Sequence, residues 1–472
     1  MTSTPTLVWF RRDLRIADNA ALSAAAAEGP VVPVFILDPV IDAHLGAAAR
    51  LRLEASLREL GRGLDSAGVP LVFRRGEALP TLLALAEETG ARTVRWTRLT
   101  DGPSLERDRV VKAALKDKGL KVESHDGFTL LDPWAVKTGV NEPYRVFTPF
   151  WRALMAREVP RPLPRPKVTG APSPASDRLE DWRLAAPMGP AAPHLAAAFE
   201  AGEAAAFARL DAWLEGPAKG YDRNRDRLDM PDTGTNLSAF LALGEISPRQ
   251  VWAAMDRAEG ARGVESARRQ LVWRDFAHML LFHDPAMEQE SWRRDWAAFP
   301  WRDDNEDAER WRRGETGCAV VDAAMRQLWV TGRMHNRARM LVASYLTKHL
   351  LTHWRVGEAH FRETLIDWDP ANNAMGWQWV AGSGPDAAPF FRIFNPETQA
   401  EKFDPKGAYR DFWLKGDGAE TFRAMRPKSW GAAPARAKPL VDLAAGRKRA
   451  LEAWSEMRDK ADAPVAAIAA EG

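Results

Sequence analysis

The stretch PRPLPRPKVTGAPSP, residues 160–174, decides the domain architecture of this 472-residue chain. It contains six prolines together with glycine, serine and basic residues, a composition that favours neither a helix nor a central strand. The stretch is therefore predicted to be an extended linker. Because the hydrophobic pattern differs on its two sides, we expect the linker to join domains of different fold class.

Before the linker, short apolar and β-branched runs alternate with alanine- and leucine-rich segments. The runs lie at residues 6–10, 31–37, 71–74, 93–97 and 121–124. This alternation is typical of a parallel α/β sheet. The first run is followed by Arg11-Arg12-Asp13-Leu14-Arg15 and not by glycines in the GxGxxG spacing, so the usual dinucleotide phosphate loop is not predicted.

After the linker, helical periodicity extends from residue 195 to about residue 351, with stops at glycine and proline. The predicted architecture is an α/β domain with a parallel sheet over 1–130, a linker over 131–194 and an all-α domain over 195–472. One long helix of the second domain is predicted over 263–282.

The charge and cysteine content limit the classes of partner and site. Lys and Arg number 66 against 64 Asp and Glu, so a nucleic acid would have to bind a local basic patch. The single cysteine, Cys318, excludes an intrachain disulfide and a multi-cysteine metal site. His349 and His353 have a metal-compatible spacing but no carboxylate in register, so no metal is predicted.

No apolar run approaches the roughly 18 residues that span a bilayer, and the N-terminus lacks the apolar region of a signal peptide. We therefore predict a cytoplasmic protein that does not bind membranes. A monomer is expected as well.

The chain contains 20 tryptophans but only four tyrosines, and ten of the tryptophans lie in the segment from Trp273 to Trp379. Gln270 and Trp273 share a helix stripe, although by spacing alone a core helix is the simpler interpretation. Asn336, Arg339 and Met340 also share a face, which suits a planar polar ligand or a solvated basic surface.

The segment 365–396 is harder to explain by packing. Its density of Asp, Asn, Gly and Trp is poor material for a helix and for a uniform core. Its side chains are therefore predicted to be present for what they bind.

These motifs together resemble the photolyase/cryptochrome flavoprotein family, and most closely its microbial cyclobutane-pyrimidine-dimer photolyases. The stretches that carry the resemblance are 7–15, 146–150, 273–276, 321–328, 334–337 and 376–396. The resemblance implies an α/β antenna domain joined to a helical FAD-binding domain. It also implies a carbon–carbon lyase, a deoxyribodipyrimidine photolyase, in which reduced FAD donates an electron under blue light to a flipped dimer of UV-damaged DNA.

The resemblance assigns residues to FAD, with Asn373 facing the flavin N5 atom and Arg339 pairing with Asp367. Matching positions that hold FAD are Tyr221, Thr233, Gly234, Thr235, Leu237, Ser238, Arg274, Asn336, Arg339, Asp367, Asp369 and Asn373. The run 233–238 departs from the family's phosphate-binding pattern. Trp377, Trp354 and Trp301 match the family's chain of tryptophans that carries electrons to the flavin.

The resemblance also assigns a DNA-binding set, in which Trp273 and Trp379 enclose the flipped dimer and the cations contact phosphates. The set comprises Arg225, Gln270, Trp273, Arg337, Met340, Trp379, Arg392 and Lys402.

Two departures from the family pattern affect the functional prediction. Gln270 replaces the glutamate that hydrogen-bonds the dimer, and Trp368 replaces a small residue between the two flavin-lining aspartates. Trp368 is expected to reshape the flavin pocket or to add an electron-transfer site. Both changes favour the alternative function, a cryptochrome-like blue-light receptor with weak or no repair.

The antenna pocket is expected around residues 103–109, where Glu106 remains from the family pattern. A second chromophore of folate, deazaflavin or flavin type, or none, is compatible with that segment.

Overall fold

The computed structural model describes residues 4–258, 262–386, 391–431 and 437–462, to which the following statements refer. Residues 387–390, part of the motif 376–396, and the end of the predicted second domain, 463–472, lie outside them.

The chain folds into two compact units, each described by itself. The first unit comprises Met1–Arg225, Asp232–Pro285 and Glu363–Asn372, and the second comprises Asp226–Pro231, Ala286–Arg362 and Asn373–Gly472.

Five parallel strands form a sheet in the order β3-β2-β1-β4-β5. The strands are β1 (Thr6–Phe10), β2 (Val31–Leu37), β3 (Val72–Arg75), β4 (Thr93–Thr97) and β5 (Lys121–His125). Each coincides with a predicted run to within one residue at either end. The prediction of a parallel α/β sheet is therefore confirmed.

Helices cover both faces of this sheet. In β1, Leu7 and Trp9 pack with residues of one core cluster, while Val8 and Phe10 pack with those of another. Successive side chains of a strand point to opposite faces, so a strand covered on both sides is uniformly apolar. This is why the runs lack a polar alternation.

The helices of the first unit lie both before and after the proline-rich stretch in the sequence. They are α1 (Ala20–Glu28), α2 (Pro39–His44), α3 (Ala47–Asp65), α4 (Ala78–Thr89), α5 (Gly102–Asp117), α6 (Phe147–Met155), α7 (Ala192–Ala196), α8 (Glu203–Glu215), α9 (Tyr221–Asn224), α10 (Ser238–Leu243), α11 (Pro248–Asp256) and α12 (Arg262–His283).

Helices also dominate the remainder of the described chain, which confirms the helical C-terminal region. They are α13 (Glu306–Arg312), α14 (Ala319–Thr331), α15 (Asn336–Ser344), α16 (Trp354–Thr364), α17 (Pro370–Ala381), α18 (Pro396–Phe403), α19 (Ala408–Leu414), α20 (Asp417–Met425) and α21 (Leu443–Asp462).

The proline-rich stretch 160–174 contains no helix, as predicted, and Gly170 forms an isolated parallel bridge with Val31. The predicted domain boundaries at residues 130 and 194 stay predictions.

The expectation of poor helix formation in 365–396 is wrong over Pro370–Ala381, which is helical as α17. Asp369 caps this helix, because its Oδ1 accepts the backbone N–H of Asn372 at 2.9 Å. Pro370 occupies the first helical position, where its fixed φ favours the helix. The cap and Gln378 offset the weak propensity, since the fully buried Gln378 amide donates to Met287 O at 2.6 Å.

Asp275 of α12 ties the segment after β5 to this helix. Its carboxylate accepts the backbone N–H groups of Leu130, at 2.9 Å, and Leu131, at 3.3 Å. Burial raises the pKa of Asp275 to about 6, although Arg274 and the two amides oppose the shift.

We expect Asp275 to make the free energy of unfolding depend on pH, because its pKa is about 6 in the folded state and lower in the unfolded state. The free energy of unfolding should fall by up to about 3 kcal/mol between about pH 4 and about pH 6.5. A carboxyl group with a raised folded pKa stabilises the fold while protonated, and that contribution is lost as the pH rises through the folded pKa. Urea unfolding at stepped pH measures the effect. Asp275→Asn, which keeps an acceptor oxygen, should lose this part of the pH slope, whereas a slope equal to the wild type's would contradict the assignment.

Candidate active site

The loop 233–238 is held in shape by side chains of α8. Arg209 donates to two successive carbonyl oxygens of the loop, at 2.8 and 3.0 Å, and the Trp213 indole N–H donates to Thr233 O at 3.3 Å. Asn236 has a φ of +53°, a left-handed conformation that asparagine tolerates. The predicted phosphate-binding loop therefore has a backbone shape fixed by the protein. No sequence motif indicates Arg209.

Two further predicted flavin residues of the first unit are buried. Tyr221 packs edge-on against Trp213, with ring centroids 5.4 Å apart. Arg274 donates to Phe128 O at 2.8 Å, and burial lowers the pKa of its guanidinium. A buried cation and a fixed loop of backbone amides suit the phosphates of FAD.

Asp369 belongs to a buried polar network at the carboxyl ends of β1 and β4. It forms an ion pair with Arg12, and its Oδ2 lies 3.4 Å from His278 Nε2, whose Nδ1 lies 2.7 Å from Thr100 Oγ1. Burial would raise the pKa of Asp369, but the guanidinium groups of Arg12 and Arg274 hold it below its ordinary value. Burial lowers the pKa of His278 to about 3. Asp369 is therefore a fixed anion, and no sequence motif indicates Arg12 or His278 as its partners.

In the second unit, α15 brings the predicted residues Asn336 and Met340 together, with the amide nitrogen 4.0 Å from the sulfur. Arg339 Nε donates to Met334 O at 2.9 Å. The shared face expected from the sequence is present. The pairing of Arg339 with Asp367 stays a prediction.

Asn373 is buried in α17, and its amide nitrogen donates to Glu358 Oε1 at 2.8 Å. This contact fixes which way the neutral amide points. Glu358, absent from the sequence prediction, is thus the residue that orients Asn373. A neutral amide suits a flavin, because it contacts the ring system without adding charge.

The three tryptophans of the predicted electron chain lie in the second unit. Trp354 and Trp377 are buried and Trp301 is half-buried. His353 lies between two of them, 5.3 Å from the Trp301 ring and 5.6 Å from the Trp354 ring, measured between centroids. Trp377 packs edge-on against Trp311 at 6.1 Å. His353 therefore packs between indoles, and the electron route itself stays a prediction.

Gly357 of α16 leaves the space that the Trp377 ring fills. A Cβ atom at this position would lie 2.0 Å from the Trp377 ring, far inside van der Waals contact. Gly357→Ala is expected to lower the free energy of unfolding by about 1–3 kcal/mol and to displace the indole. Thermal unfolding and the bound-flavin content measure this. Gly376→Ala is the control, because a Cβ atom there meets nothing within 4 Å; equal stability of the two variants would contradict the packing argument.

The predicted substrate residues are described within their own units. Trp273 is half-buried, and its indole stacks on Phe147 with centroids 3.7 Å apart and planes 6° apart. Gln270, one turn earlier on α12, and Arg225 are also half-buried. Trp379 of the second unit is half-buried as well.

The predicted phosphate contacts of the second unit differ in their surroundings. Arg337 pairs with Asp226 at 2.8 Å and lies over the Phe403 ring, so much of its charge is already compensated. Lys402 Nζ lies 5.2 Å from the same ring, and Arg392 is exposed. The prediction for Arg337 as a phosphate contact is weakened by its partner.

An open cavity lies beside the carboxyl ends of β1 and β2 in the first unit. Trp368 lines it, with its indole nearly parallel to the His44 ring at 6.4 Å. Among the described residues, the indole N–H of Trp368 has no hydrogen-bond acceptor. The structure thus places Trp368 in this cavity, a position that was not expected from the sequence. The two roles expected for Trp368, in the flavin pocket or in electron transfer, stay predictions.

The segment 103–109 contributes differently from what was expected. Ser104 lines the cavity, whereas Glu106 forms an exposed ion pair with Arg109 at 2.6 Å. The remaining glutamate is therefore a surface residue.

Within the described ranges, no group of His, Cys, Asp and Glu side chains could hold a metal ion. No described helix is both long and apolar enough to cross a bilayer. The cytoplasmic location and the monomeric state stay predictions.

Comparison with known proteins identifies the family. Residues 6–167 match the family described as DNA photolyase, and residues 267–456 match the FAD binding domain of DNA photolyase. The chain is 43% identical to the deoxyribodipyrimidine photo-lyase of Agrobacterium fabrum over 97% of this chain and 99% of that protein. This chain belongs to the DNA photolyase family. The predicted family, and FAD as its cofactor, are thereby confirmed.

Two further relatives of this photolyase-family chain have names that denote different functions. A bacterial class III photolyase from Agrobacterium tumefaciens superposes with a TM-score of 0.89 at 42% identity, covering 97% of this chain and 98% of that one. Cryptochrome-2 of Arabidopsis thaliana is 32% identical over 96% of this chain and 79% of that protein. The family therefore includes both photolyases and cryptochromes at this level of similarity.

Proposed function

We propose that this protein repairs cyclobutane pyrimidine dimers in UV-damaged DNA under blue light. The observation that carries the proposal is the Trp273 indole, half-buried and stacked on Phe147, beside Gln270 on α12. A flat aromatic surface of this kind stacks with an extruded base. The name of the Agrobacterium fabrum relative supports the same activity.

The chain's own residues bind and orient the reaction partners. FAD, when bound and reduced, supplies one electron to the dimer. Breaking the two cyclobutane bonds of the dimer would release this electron again, so the reaction would be neither a net oxidation nor a net reduction. Arg274 and the loop 233–238 are proposed to hold the FAD phosphates, and Asn373, oriented by Glu358, to contact the ring system.

The cavity beside β1 and β2 is proposed to take a second, light-absorbing chromophore. Its lining of Phe35, His44 and Trp368 favours a planar aromatic molecule. Absorbance of the purified protein after removal of FAD tests this assignment. Trp368→Ala should lower the content of any second chromophore, and an unchanged content would contradict it.

The second candidate function is a cryptochrome-like light receptor with weak or no repair. Gln270 favours it, since an amide cannot supply the carboxylic-acid hydrogen bond of repair enzymes. The relationship to Cryptochrome-2 favours it too.

We expect Gln270→Glu to raise the number of dimers repaired per absorbed photon, because a carboxyl group that hydrogen-bonds the dimer stabilises its added electron. FAD binding should be unchanged, since Gln270 is assigned to the substrate. The yield should be followed from about pH 6 to about pH 8.5, because burial can raise a carboxyl pKa into this range.

The repair function and the receptor function predict different repair yields for the wild type and the Gln270→Glu variant. A wild type without repair, together with a repairing Gln270→Glu variant, would identify a receptor. An efficient wild type whose yield the substitution leaves unchanged would show that Gln270 does not contact the dimer.

A further inference from the structure

We propose that Arg269 of α12 binds a phosphate of the DNA strand that carries the dimer. This inference rests on the proposed function and extends it to a residue that neither the sequence motifs nor the family comparison assigns. It concerns the first unit alone.

Arg269 lies at the edge of an aromatic stack. Its guanidinium carbon is 5.3 Å from the centre of the Trp151 ring and 5.8 Å from that of the Phe147 ring. The Phe147 ring itself stacks on Trp273 and lies 6.4 Å from Trp151 at an angle of 29°. The cation is therefore held against Phe147, whose ring stacks on the indole that is proposed to stack with the dimer.

The sequence of α12 explains this placement. Arg269 and Trp273 are four residues apart, so they lie on one face of the helix, one turn apart. Phe147 and Trp151 are likewise one turn apart on α6. Two helices thus present their aromatic and basic side chains to each other.

Arg269 has no carboxylate partner among the described residues. Its neighbour Arg268 lies over Trp252 in the same way, but it is also paired with Asp256. Glu265, one turn before Arg269, is exposed and is not paired with it. The charge of Arg268 is therefore compensated by Asp256. Arg269 is held against aromatic rings and has no carboxylate partner among the described residues.

A guanidinium that packs against aromatic rings is weakly hydrated and keeps its N–H edge available. This arrangement suits a phosphate, which accepts two parallel hydrogen bonds. Arg145, two residues before α6, and Arg152, in the last turn of α6, are exposed and add further positive charge to this segment. A nearly neutral protein would thereby obtain a local anion-binding surface next to the stacking site.

The test compares three variants of the FAD-loaded, full-length protein. Arg269→Gln removes the charge, Arg269→Lys keeps it, and Arg92→Gln removes an exposed charge immediately before β4, at the amino-terminal edge of the sheet. Affinity for a duplex with one thymine dimer, and for the undamaged duplex, is measured between about 50 and about 200 mM salt. Flavin absorbance and circular dichroism confirm that each variant is folded.

Arg269→Gln should make the slope of log affinity against log salt less steep by about 0.9. Between these two salt concentrations the variant should therefore lose about 3.5-fold less affinity than the wild type. Arg269→Lys and Arg92→Gln should keep the wild-type slope.

Each alternative result overturns a different claim. A wild-type slope in folded Arg269→Gln, with dimer preference intact, would overturn the role of Arg269 and leave the repair proposal standing. An equally flattened slope in Arg92→Gln would show a general charge effect and would also overturn it. A wild type that does not prefer the damaged duplex would instead contradict the proposed repair function, while the slopes would still decide whether Arg269 binds phosphate.

Discussion

Replacing Trp377 by phenylalanine should abolish most of the light-driven reduction of bound, oxidised FAD. Trp377 is 2% exposed, packs on Phe361 at 4.9 Å and matches the tryptophan next to the flavin in the family's electron chain. Phenylalanine keeps a ring in the packed position but is far harder to oxidise than indole. The bound-flavin content should therefore stay near the wild-type value while photoreduction is lost.

The measurement is the bleaching of oxidised-flavin absorbance under blue light with an external reductant. Trp329→Phe is the matched control, because Trp329 packs on Trp430 and donates to Met425 O at 3.2 Å, outside the predicted chain. Photoreduction of Trp377→Phe at the wild-type rate would show that electrons reach the flavin by another route.

Trp379→Ala should weaken the preference for dimer-containing DNA by about 1–3 kcal/mol, or about 5- to 150-fold, which is the range for losing one base–aromatic stack. Trp379 is half-buried, so its truncation removes ring surface without emptying a core position. Trp379→Phe is the control, since phenylalanine retains a stacking face.

The comparison uses competition between damaged and undamaged duplexes of one sequence at fixed salt. Loss of preference in both variants would indicate a structural role for the indole. An unchanged preference in Trp379→Ala would remove Trp379 from the substrate site.

The sequence predicted the sheet closely because its strands are buried on both faces. Runs such as 31–37 are apolar throughout, and that signal depends on burial alone. The helix α17 was not predicted, because the propensities of Asn, Gly and Trp argue against it. The cap from Asp369 and the buried hydrogen bonds of Gln378 decide its structure, and these are tertiary contacts that propensity does not contain.

The family motifs located candidate site residues but not their partners. Asn373 was identified, whereas Glu358, which orients it, was not. Arg337 was identified as a cation, but its ion pair with Asp226 joins residues 111 positions apart in the sequence. Trp368 was recognised as a departure, yet only the structure places it against His44. Pairings over such distances along the chain leave no local pattern to read.

Light-driven repair of cyclobutane dimers is a claim that can be tested by counting restored thymines. Purified, photoreduced protein is incubated with dimer-containing DNA, in separate single- and double-stranded samples, under blue light and in the dark. We predict that intact thymines reappear in the light over many turnovers per protein molecule, and that none reappear in the dark. Unchanged dimer content under blue light, with reduced FAD bound and the DNA bound, would contradict the claim.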